Sequence, residues 1–274
     1  MTRAETGVLH VVIRATLDWS RAGYEQLDSP FMQETARLWD STFRLGYMAC
    51  RARIKNIAER AHRARPDARV HANTIDLDVV QARDMVLLCD DDDWYSPQLG
   101  AALAARSRAG GRELILWTDA VIGFYALKSA YLRQPGAPLN VLLRERGVGA
   151  EHGQKHLVRS NNYAIPGALL RNQPEVLKAL WFHDGADRYI ARTNLPTTRI
   201  HSPLSVVNRH PCSKLVLSEV MKQIGTHEWD PPTALRVAVA AWVRNQCVNL
   251  PGSLRWAAPL IHQVRAVFRE ALGE

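Results

Sequence analysis

The sequence predicts an α/β protein with a mainly parallel central sheet, flanked by helices and followed by a C-terminal helical extension. Over the first three quarters of the 274-residue chain, short apolar runs alternate with segments of helical character, which is typical of a parallel sheet. Beyond Pro231 the apolar residues recur only at helical spacing.

The first half of the chain carries the clearest strand pattern. Residues 8–13 and 85–89 are apolar runs between polar flanks, and residues 69–75 alternate between apolar and polar positions, so each predicts a strand. Residues 32–64 are mostly helical in pattern, with a break near Gly46 and an end at Pro66.

The second half continues this alternation. A helix over residues 97–106 is closed by Gly110 and Gly111, and the apolar run 114–117 begins a strand that continues past Asp119. Glycines and prolines in residues 134–154 predict a loop. The remaining predictions are helices over residues 174–181, 188–192, 235–248 and 254–272, and a β-rich segment over 197–207.

Composition limits the class of protein. Hydrophobic residues make up 47% and charged residues 23%, as in ordinary globular proteins. No apolar run reaches the roughly 18 residues that span a bilayer, and residues 1–6 lack the apolar core of a signal peptide. A cytoplasmic protein is the default expectation.

The four cysteines are far apart and form no Cys-x-x-Cys pair, so neither a zinc ribbon nor a redox motif is expected.

The most informative motif is a run of four aspartates, Asp90 to Asp93, directly after the apolar run 85–89. Ser96 and Pro97 then suit the N-cap and first position of a helix. Open α/β sheets bind ligands at the carboxyl ends of their strands. Adjacent carboxylates repel one another unless a cation neutralises them, and oxygen ligands suit Mg²⁺ or Mn²⁺, which can share a diphosphate. The alternative is a solvated acidic loop.

The segment Asp90-Asp91-Asp92-Asp93-Trp94-Tyr95-Ser96-Pro97 resembles the Asp-x-Asp-Asp-x-x-x-Pro signature of GT-A-fold glycosyltransferases, especially the large inverting family that uses nucleotide-sugar donors. The resemblance implies a GT-A-like transferase domain over residues 1–215 and a helical extension over 216–274. It departs at the first strand, which runs into Arg14 where the family has Pro-x-Tyr-Asn.

The resemblance also implies site residues. Asp90, with Asp91, would lie near the nucleoside, and Asp92, supported by Asp93, would hold Mn²⁺ or Mg²⁺. The donor would be a nucleoside-diphosphate sugar, and the acceptor a carbohydrate or a lipid-linked molecule. Basic side chains would balance the donor phosphates, and the candidates are Arg14, Arg51, Arg53 and Lys55.

Inverting members of the family use an acidic residue at the start of a helix to deprotonate the acceptor. Asp187, ahead of residues 188–192, matches this position best, and Asp184 is the second choice; either could instead be only an N-cap. His201 is a candidate further metal ligand, with His210 as the alternative, although a single histidine near a strand is often structural.

Two polar segments have open interpretations. Asn161 and Asn162 could bind sugar hydroxyls, since an amide both donates and accepts, or could form a turn. Residues 43–69 carry eight basic residues against two acidic ones. This segment could face solvent, a diphosphate or anionic lipid. The sequence contains no helix-turn-helix, zinc-finger or RNA-recognition signature, so no nucleic acid is expected as a partner.

The C-terminal helix over residues 254–272 is amphipathic and could pack on the domain, contact another copy, or touch the inner face of an anionic membrane.

Two other function classes are open. One is a metal-dependent phosphotransfer or phosphodiester enzyme, which would recruit Asp119 and His201 to the aspartates. The other is a non-catalytic protein that binds polyanions through its basic helix.

Overall fold

The computed structural model describes residues 7–14, 30–62, 68–108, 111–123, 144–146, 161–181, 183–213, 230–245 and 250–274. The chain divides into two compact units. The first comprises Met1–Ala15, Arg60–Ala120 and Glu145–Val206, and the second comprises Thr16–Glu59, Val121–Arg144 and Val207–Glu274. The predicted domain boundary at residue 215 lies outside the described residues and stays a prediction.

The predicted α/β class is confirmed. The strands are β1 (Leu9–Arg14), β2 (Arg69–Ala72), β3 (Met85–Asp90), β4 (Trp94–Tyr95), β5 (Leu114–Gly123), β6 (Arg144–Arg146), β7 (Tyr163–Pro166) and β8 (Thr197–Arg209). Their order in the sheet is β2-β1-β3-β7-β5-β8-β4, and β6 pairs with β5. Strand β1 is parallel to β2 and β3, whereas β7 is antiparallel to both β3 and β5. Strands β2, β1, β3 and β5 therefore share one direction.

The helices are α1 (Pro30–Thr42), α2 (Tyr47–His62), α3 (Leu99–Arg108), α4 (Gly167–Asn172), α5 (Glu175–Leu180), α6 (His183–Thr193), α7 (Pro231–Asn245) and α8 (Ala258–Leu272). Short 3₁₀ helices cover Leu77–Val79 and Gly252–Ala257. No helix in the described residues is long and apolar enough to cross a membrane.

The alternation of side chains along each strand gives the sheet two apolar faces. Val12, Leu88 and Leu116 pack in a cluster with buried residues of α4, α5 and α6, and this face is called the α6 face. Cys89 and Trp117 pack in a second cluster with residues of α3, and that face is called the α3 face.

The second unit has an aromatic core. The ring of Trp39 lies 4.4 Å from that of Phe43 and 6.3 Å from that of Phe268, and Trp242 lies 5.1 Å from Phe268. Because Phe268 belongs to α8, the apolar face of the predicted C-terminal helix is buried within this unit. Gly273 ends α8 with a positive φ of 79°, a conformation that suits glycine.

Several predicted boundaries were wrong. The strand predicted over residues 69–75 ends at Ala72, the helix predicted over 235–248 begins at Pro231, and α8 begins at Ala258 and not at residue 254. The helix after the aspartates begins at Leu99 and not at Pro97, because Trp94 and Tyr95 pair as β4 and a turn follows; Ser96 Oγ accepts the Gln98 N–H at 3.2 Å. The short helix predicted over residues 188–192 is part of α6, which begins at His183.

The predicted helix break near Gly46 is confirmed, since α1 ends at Thr42 and α2 begins at Tyr47. The Asp40 carboxylate accepts the N–H of Tyr47 at the start of α2. The loop predicted over residues 134–154 lies outside the described residues except for β6.

Candidate functional site at the carboxyl edge of the sheet

Four polar residues form a row across the α6 face at the carboxyl ends of β1 and β3. Arg14 and Asp90 are the last residues of β1 and β3, each two positions beyond a core residue of this face. By the same alternation, Thr118 of β5 and Asn161, which lies two positions before β7, belong to this row. Neighbouring strands lie about 4.8 Å apart, so the row spans roughly 14 Å.

Strand register supports the place of Asn161. Leu87 pairs with Ala164 between β3 and β7, and Leu116 pairs with Tyr163 between β5 and β7. The Trp117 N–H donates to the Asn162 carbonyl at 3.0 Å, which extends the second ladder. Continued by one more residue, the pairing sets Asn161 between Asp90 and Thr118. Asn161 is fully buried.

Arg14 and Asp90 form the ion pair of this row, with Arg14 Nη2 2.9 Å from Asp90 Oδ1. The Arg14 side chain is 10% exposed and that of Asp90 is 35% exposed. Burial is the largest single effect and lowers the pKa of Arg14, but Asp90 and the smaller effects of Tyr163, Tyr95 and Cys89 together outweigh it, so the pKa lies above its ordinary value. The guanidinium also donates to the Trp181 carbonyl through Nη1.

Tyr163 makes a second link to the same segment. Its side chain is fully buried on the α6 face, and its hydroxyl donates to the Leu180 carbonyl. Burial raises the pKa of Tyr163 to about 12, against the effect of Arg14, which lowers it. Arg14 and Tyr163 therefore fix the end of α5 to the carboxyl edge of the sheet.

Helix α6 begins immediately after that fixed segment. Asp184 is the second residue of α6 and Asp187 the fifth; their side chains lie outside the described part of the structure. The backbone of both candidate bases therefore follows within a few residues of Trp181, whose carbonyl shares Arg14 with Asp90. The strand pairing and these two hydrogen bonds bring together residues that are far apart in sequence.

The acidic turn, Asp91 to Asp93, is held between two paired strands. On one side Asp90 is in register with Arg14, and on the other Trp94 pairs with Val206 of β8. Asp91 and Asp93 are buried, whereas Asp92 is half-buried. A short turn fixed at both ends has little freedom, which favours a preorganised binding site.

Burial dominates the chemistry of the residues around the turn. It raises the pKa of the Cys89 thiol and of the Tyr95 hydroxyl well above their ordinary values, and nearby negative charges add to both shifts. Both side chains therefore stay protonated near neutral pH. Trp117 Nε1 donates to Ser205 Oγ at 2.8 Å, which fixes β8 beside β5 next to the short strand β4.

The acidic turn fits a hard divalent ion only if phosphate and water supply most of the ion's ligands. In the described residues no group of three or more His, Cys, Asp or Glu side chains is arranged to hold a metal ion. Mg²⁺ in phosphate-transfer sites is often held by one or two carboxylates, with phosphates and water completing its shell. Asp92, the most exposed residue of the turn, therefore suits an ion that arrives together with a diphosphate.

The two histidines predicted as metal ligands differ in their surroundings. His201 is exposed on β8, five residues before Val206, the partner of Trp94. At 3.3 Å per residue, His201 is roughly 16 Å along the strand from that pair. His210 belongs to the second unit; its Nδ1 accepts the Cys212 N–H at 3.1 Å, and its Nε2 lies 3.1 Å from Arg51 Nη1. Both its ring nitrogens already face N–H donors.

The predicted phosphate-binding residue Arg53 and the predicted metal ligand Asp119 make contacts that differ from the predicted ones. Arg53 lies on α2 in the second unit and forms an ion pair with Glu270, and both side chains are at least half exposed. Asp119 is buried on β5, but it follows Trp117 by two positions and so belongs to the α3 face, opposite Asp90. This position does not favour the two-metal arrangement in which Asp119 would join Asp90.

A buried polar chain at the opposite edge of the sheet was not predicted. Asp84 accepts the Val8 and Gln81 N–H groups at 2.7 Å each, and its Oδ2 lies 3.1 Å from His10 Nε2. His10 Nδ1 lies in turn 3.1 Å from His71 Nε2. A lone histidine within an apolar strand gives no local signal of such partners.

No protein-family model matches the chain, and no curated protein matches its sequence significantly.

Proposed function

We propose that this chain is a GT-A-like glycosyltransferase that moves a sugar from a nucleoside-diphosphate sugar to an acceptor hydroxyl, with inversion at the anomeric carbon. The observation that carries the proposal is the row of Arg14, Asp90 and Asn161 beside the fixed acidic turn. These residues lie at the carboxyl edge, where open α/β sheets bind nucleotides. The acceptor would be a carbohydrate or a lipid-linked molecule.

Each residue of the row has a role in this proposal. Arg14 fixes the orientation of the Asp90 carboxylate, which would accept hydrogen bonds from the nucleoside. Asp92, with Asp93, would hold Mn²⁺ or Mg²⁺. The bound ion would neutralise negative charge on the leaving diphosphate. Asn161 can both donate to and accept from sugar hydroxyls.

The acceptor hydroxyl would lose its proton to Asp184 or Asp187 on α6. A general base must lie within hydrogen-bond reach of the proton that it takes. The hydrogen bonds from Arg14 to Trp181 and from Tyr163 to Leu180 support this role, because they hold the segment before α6 at the edge that carries Asp90.

Thermal unfolding in the presence of UDP, GDP, dTDP or CMP, each with and without Mn²⁺, tests the proposal. A ligand at about 100 times its Kd stabilises the folded state by roughly 2.7 kcal/mol, which is several degrees in Tm. We expect one nucleoside diphosphate to raise Tm only when Mn²⁺ is present.

Two matched variants locate the effect. Asp92→Asn should abolish the shift. Asp78→Asn makes the same chemical change at an exposed aspartate of a 3₁₀ helix and should leave the shift unchanged. An unchanged shift in Asp92→Asn would remove the metal assignment, and the absence of any shift in the wild-type protein would contradict the proposed donor site.

A further inference from the structure

Two cysteines that are 162 positions apart in sequence meet in the second unit. Cys50 Sγ lies 3.3 Å from Cys212 Sγ, and both residues are fully buried. Neither is in a disulfide. A disulfide has its sulfurs about 2.05 Å apart, so bond formation needs an approach of roughly 1.3 Å.

Neighbouring contacts hold the two thiols together. The first turns of α2 carry Tyr47, Cys50 and Arg51. The Tyr47 hydroxyl donates to the Cys212 carbonyl at 3.3 Å, and Arg51 Nη1 lies 3.1 Å from His210 Nε2. Three contacts thus join this part of α2 to the chain at residues 210–212.

The turn that carries Cys212 is also ordered from within. Its N–H donates to His210 Nδ1 at 3.1 Å, and the Ser213 N–H donates to the His210 carbonyl at 2.9 Å. On the other side, the Cys50 N–H donates to the Gly46 carbonyl at 2.9 Å. Both backbones are therefore held by local hydrogen bonds, and bond formation requires the two sulfurs to approach each other.

We infer that Cys50 and Cys212 form a redox-modification site that a peroxide closes to a disulfide. One thiol attacks hydrogen peroxide, the O–O bond breaks, and a sulfenic acid and one water form. The second thiol attacks that sulfur, the S–S bond forms, and the hydroxyl leaves as a second water. The thiols lose two electrons and two protons in total, and a small thiol reductant reverses the reaction.

The test uses the full-length native protein. It is incubated with hydrogen peroxide, quenched with catalase, denatured in iodoacetamide and digested without reduction for mass spectrometry. We expect two of the four cysteines to escape alkylation and a Cys50–Cys212 linked peptide to appear, both reversed by dithiothreitol. Because the bond closes a long loop, Tm of the oxidised protein should rise by about 5 °C or more.

Variants separate this site from general oxidation. Cys212→Ala should abolish the linked peptide and the peroxide-induced rise in Tm, whereas Cys89→Ala, which changes the buried thiol of β3, should keep both. The peptide mapping of the wild-type protein is informative even if neither variant folds. Full alkylation of all four cysteines after peroxide, or a link that includes Cys89 or Cys247, would overturn the inference.

Discussion

Arg14 and Asp90 face each other in register on the parallel strands β1 and β3, with Nη2 of the arginine 2.9 Å from Oδ1 of the aspartate. The first of the four consecutive aspartates is thus neutralised within the protein, and the remaining three form the turn that follows. Arg14 acts on the site by holding Asp90 and the Trp181 carbonyl in place.

Replacement of Arg14 by Met should destabilise the first unit. Asp90 and the Trp181 carbonyl each lose a donor, and breaking a largely buried ion pair from one side weakens the compensation of the charge that remains. Because Asp90 is one-third exposed, we expect a loss of about 1–3 kcal/mol in the free energy of unfolding, measured by urea denaturation. The exposed Arg112→Met variant is the control and should change it by less than about 0.5 kcal/mol.

The double variant Arg14→Met with Asp90→Asn completes the cycle. If the two side chains stabilise each other, its loss should be smaller than the sum of the two single losses. Additive losses would contradict the ion pair as a stabilising contact.

Tyr163→Phe should lower stability by about 1–2 kcal/mol at pH 7, because the buried Leu180 carbonyl loses the hydroxyl that donates to it. The folded-state pKa is raised from 10.0 to about 12. The folded protein therefore holds the phenolic proton more tightly than the unfolded chain does, and this contribution is complete below pH 10 and is lost as pH rises towards 12.

The difference between wild type and Tyr163→Phe should consequently narrow between pH 10 and 12, where the phenol of the unfolded chain is ionised. Urea denaturation of both proteins at a series of pH values measures this difference. A constant difference across that range would show that Tyr163 has no raised pKa.

Asp84→Asn should be strongly destabilising. The carboxylate accepts from the Val8 and Gln81 N–H groups and from His10 Nε2, and an amide NH₂ in its place would face a donor. We expect a loss of about 2–4 kcal/mol in urea denaturation, against a negligible effect for the exposed Asp78→Asn. Equal effects of the two substitutions would rule out a structural role for the buried chain.

Gly167→Ala and Gly111→Ala form a matched pair. A Cβ at Gly167 would lie 2.0 Å from the Gln81 carbonyl oxygen, whereas one at Gly111 would meet nothing within 4 Å. The Gly167 N–H also donates to the Asp84 carbonyl at 2.7 Å, so the backbone cannot move away without losing a bond. Gly167→Ala should lower the free energy of unfolding by about 3 kcal/mol or more, and Gly111→Ala should be close to neutral. Similar melting temperatures for the two variants would contradict this packing.

The sequence predicted those features that depend on local pattern. Strands β1 and β3 are apolar runs, and the aspartates mark the end of β3 whatever the rest of the chain does. Strand β4 was missed because two residues carry no periodicity, and Trp94 and Tyr95 become a strand only through their pairing with Val206 and Ser205.

Contacts between segments that are far apart in sequence could not be predicted from local sequence patterns either. Arg14 and Asp90 were both predicted near the donor, but their mutual ion pair depends on the register of two parallel strands. Arg53 was a candidate because of the charge around it, and its partner Glu270 comes from the far end of the chain. The separation of Cys50 and Cys212 along the sequence hid their proximity in the same way.

The decisive measurement is release of nucleoside diphosphate from a panel of nucleotide sugars, with Mn²⁺ or with EDTA, while a mixture of carbohydrate acceptors, or water, takes the sugar. Wild-type protein and Asp78→Asn should release one nucleoside diphosphate in a Mn²⁺-dependent reaction, and Asp92→Asn should be at least about 100-fold slower, since loss of a single group that stabilises developing charge costs this much. Release that is unaffected by EDTA and by Asp92→Asn, or no release with any donor and acceptor, would contradict a metal-dependent glycosyltransferase.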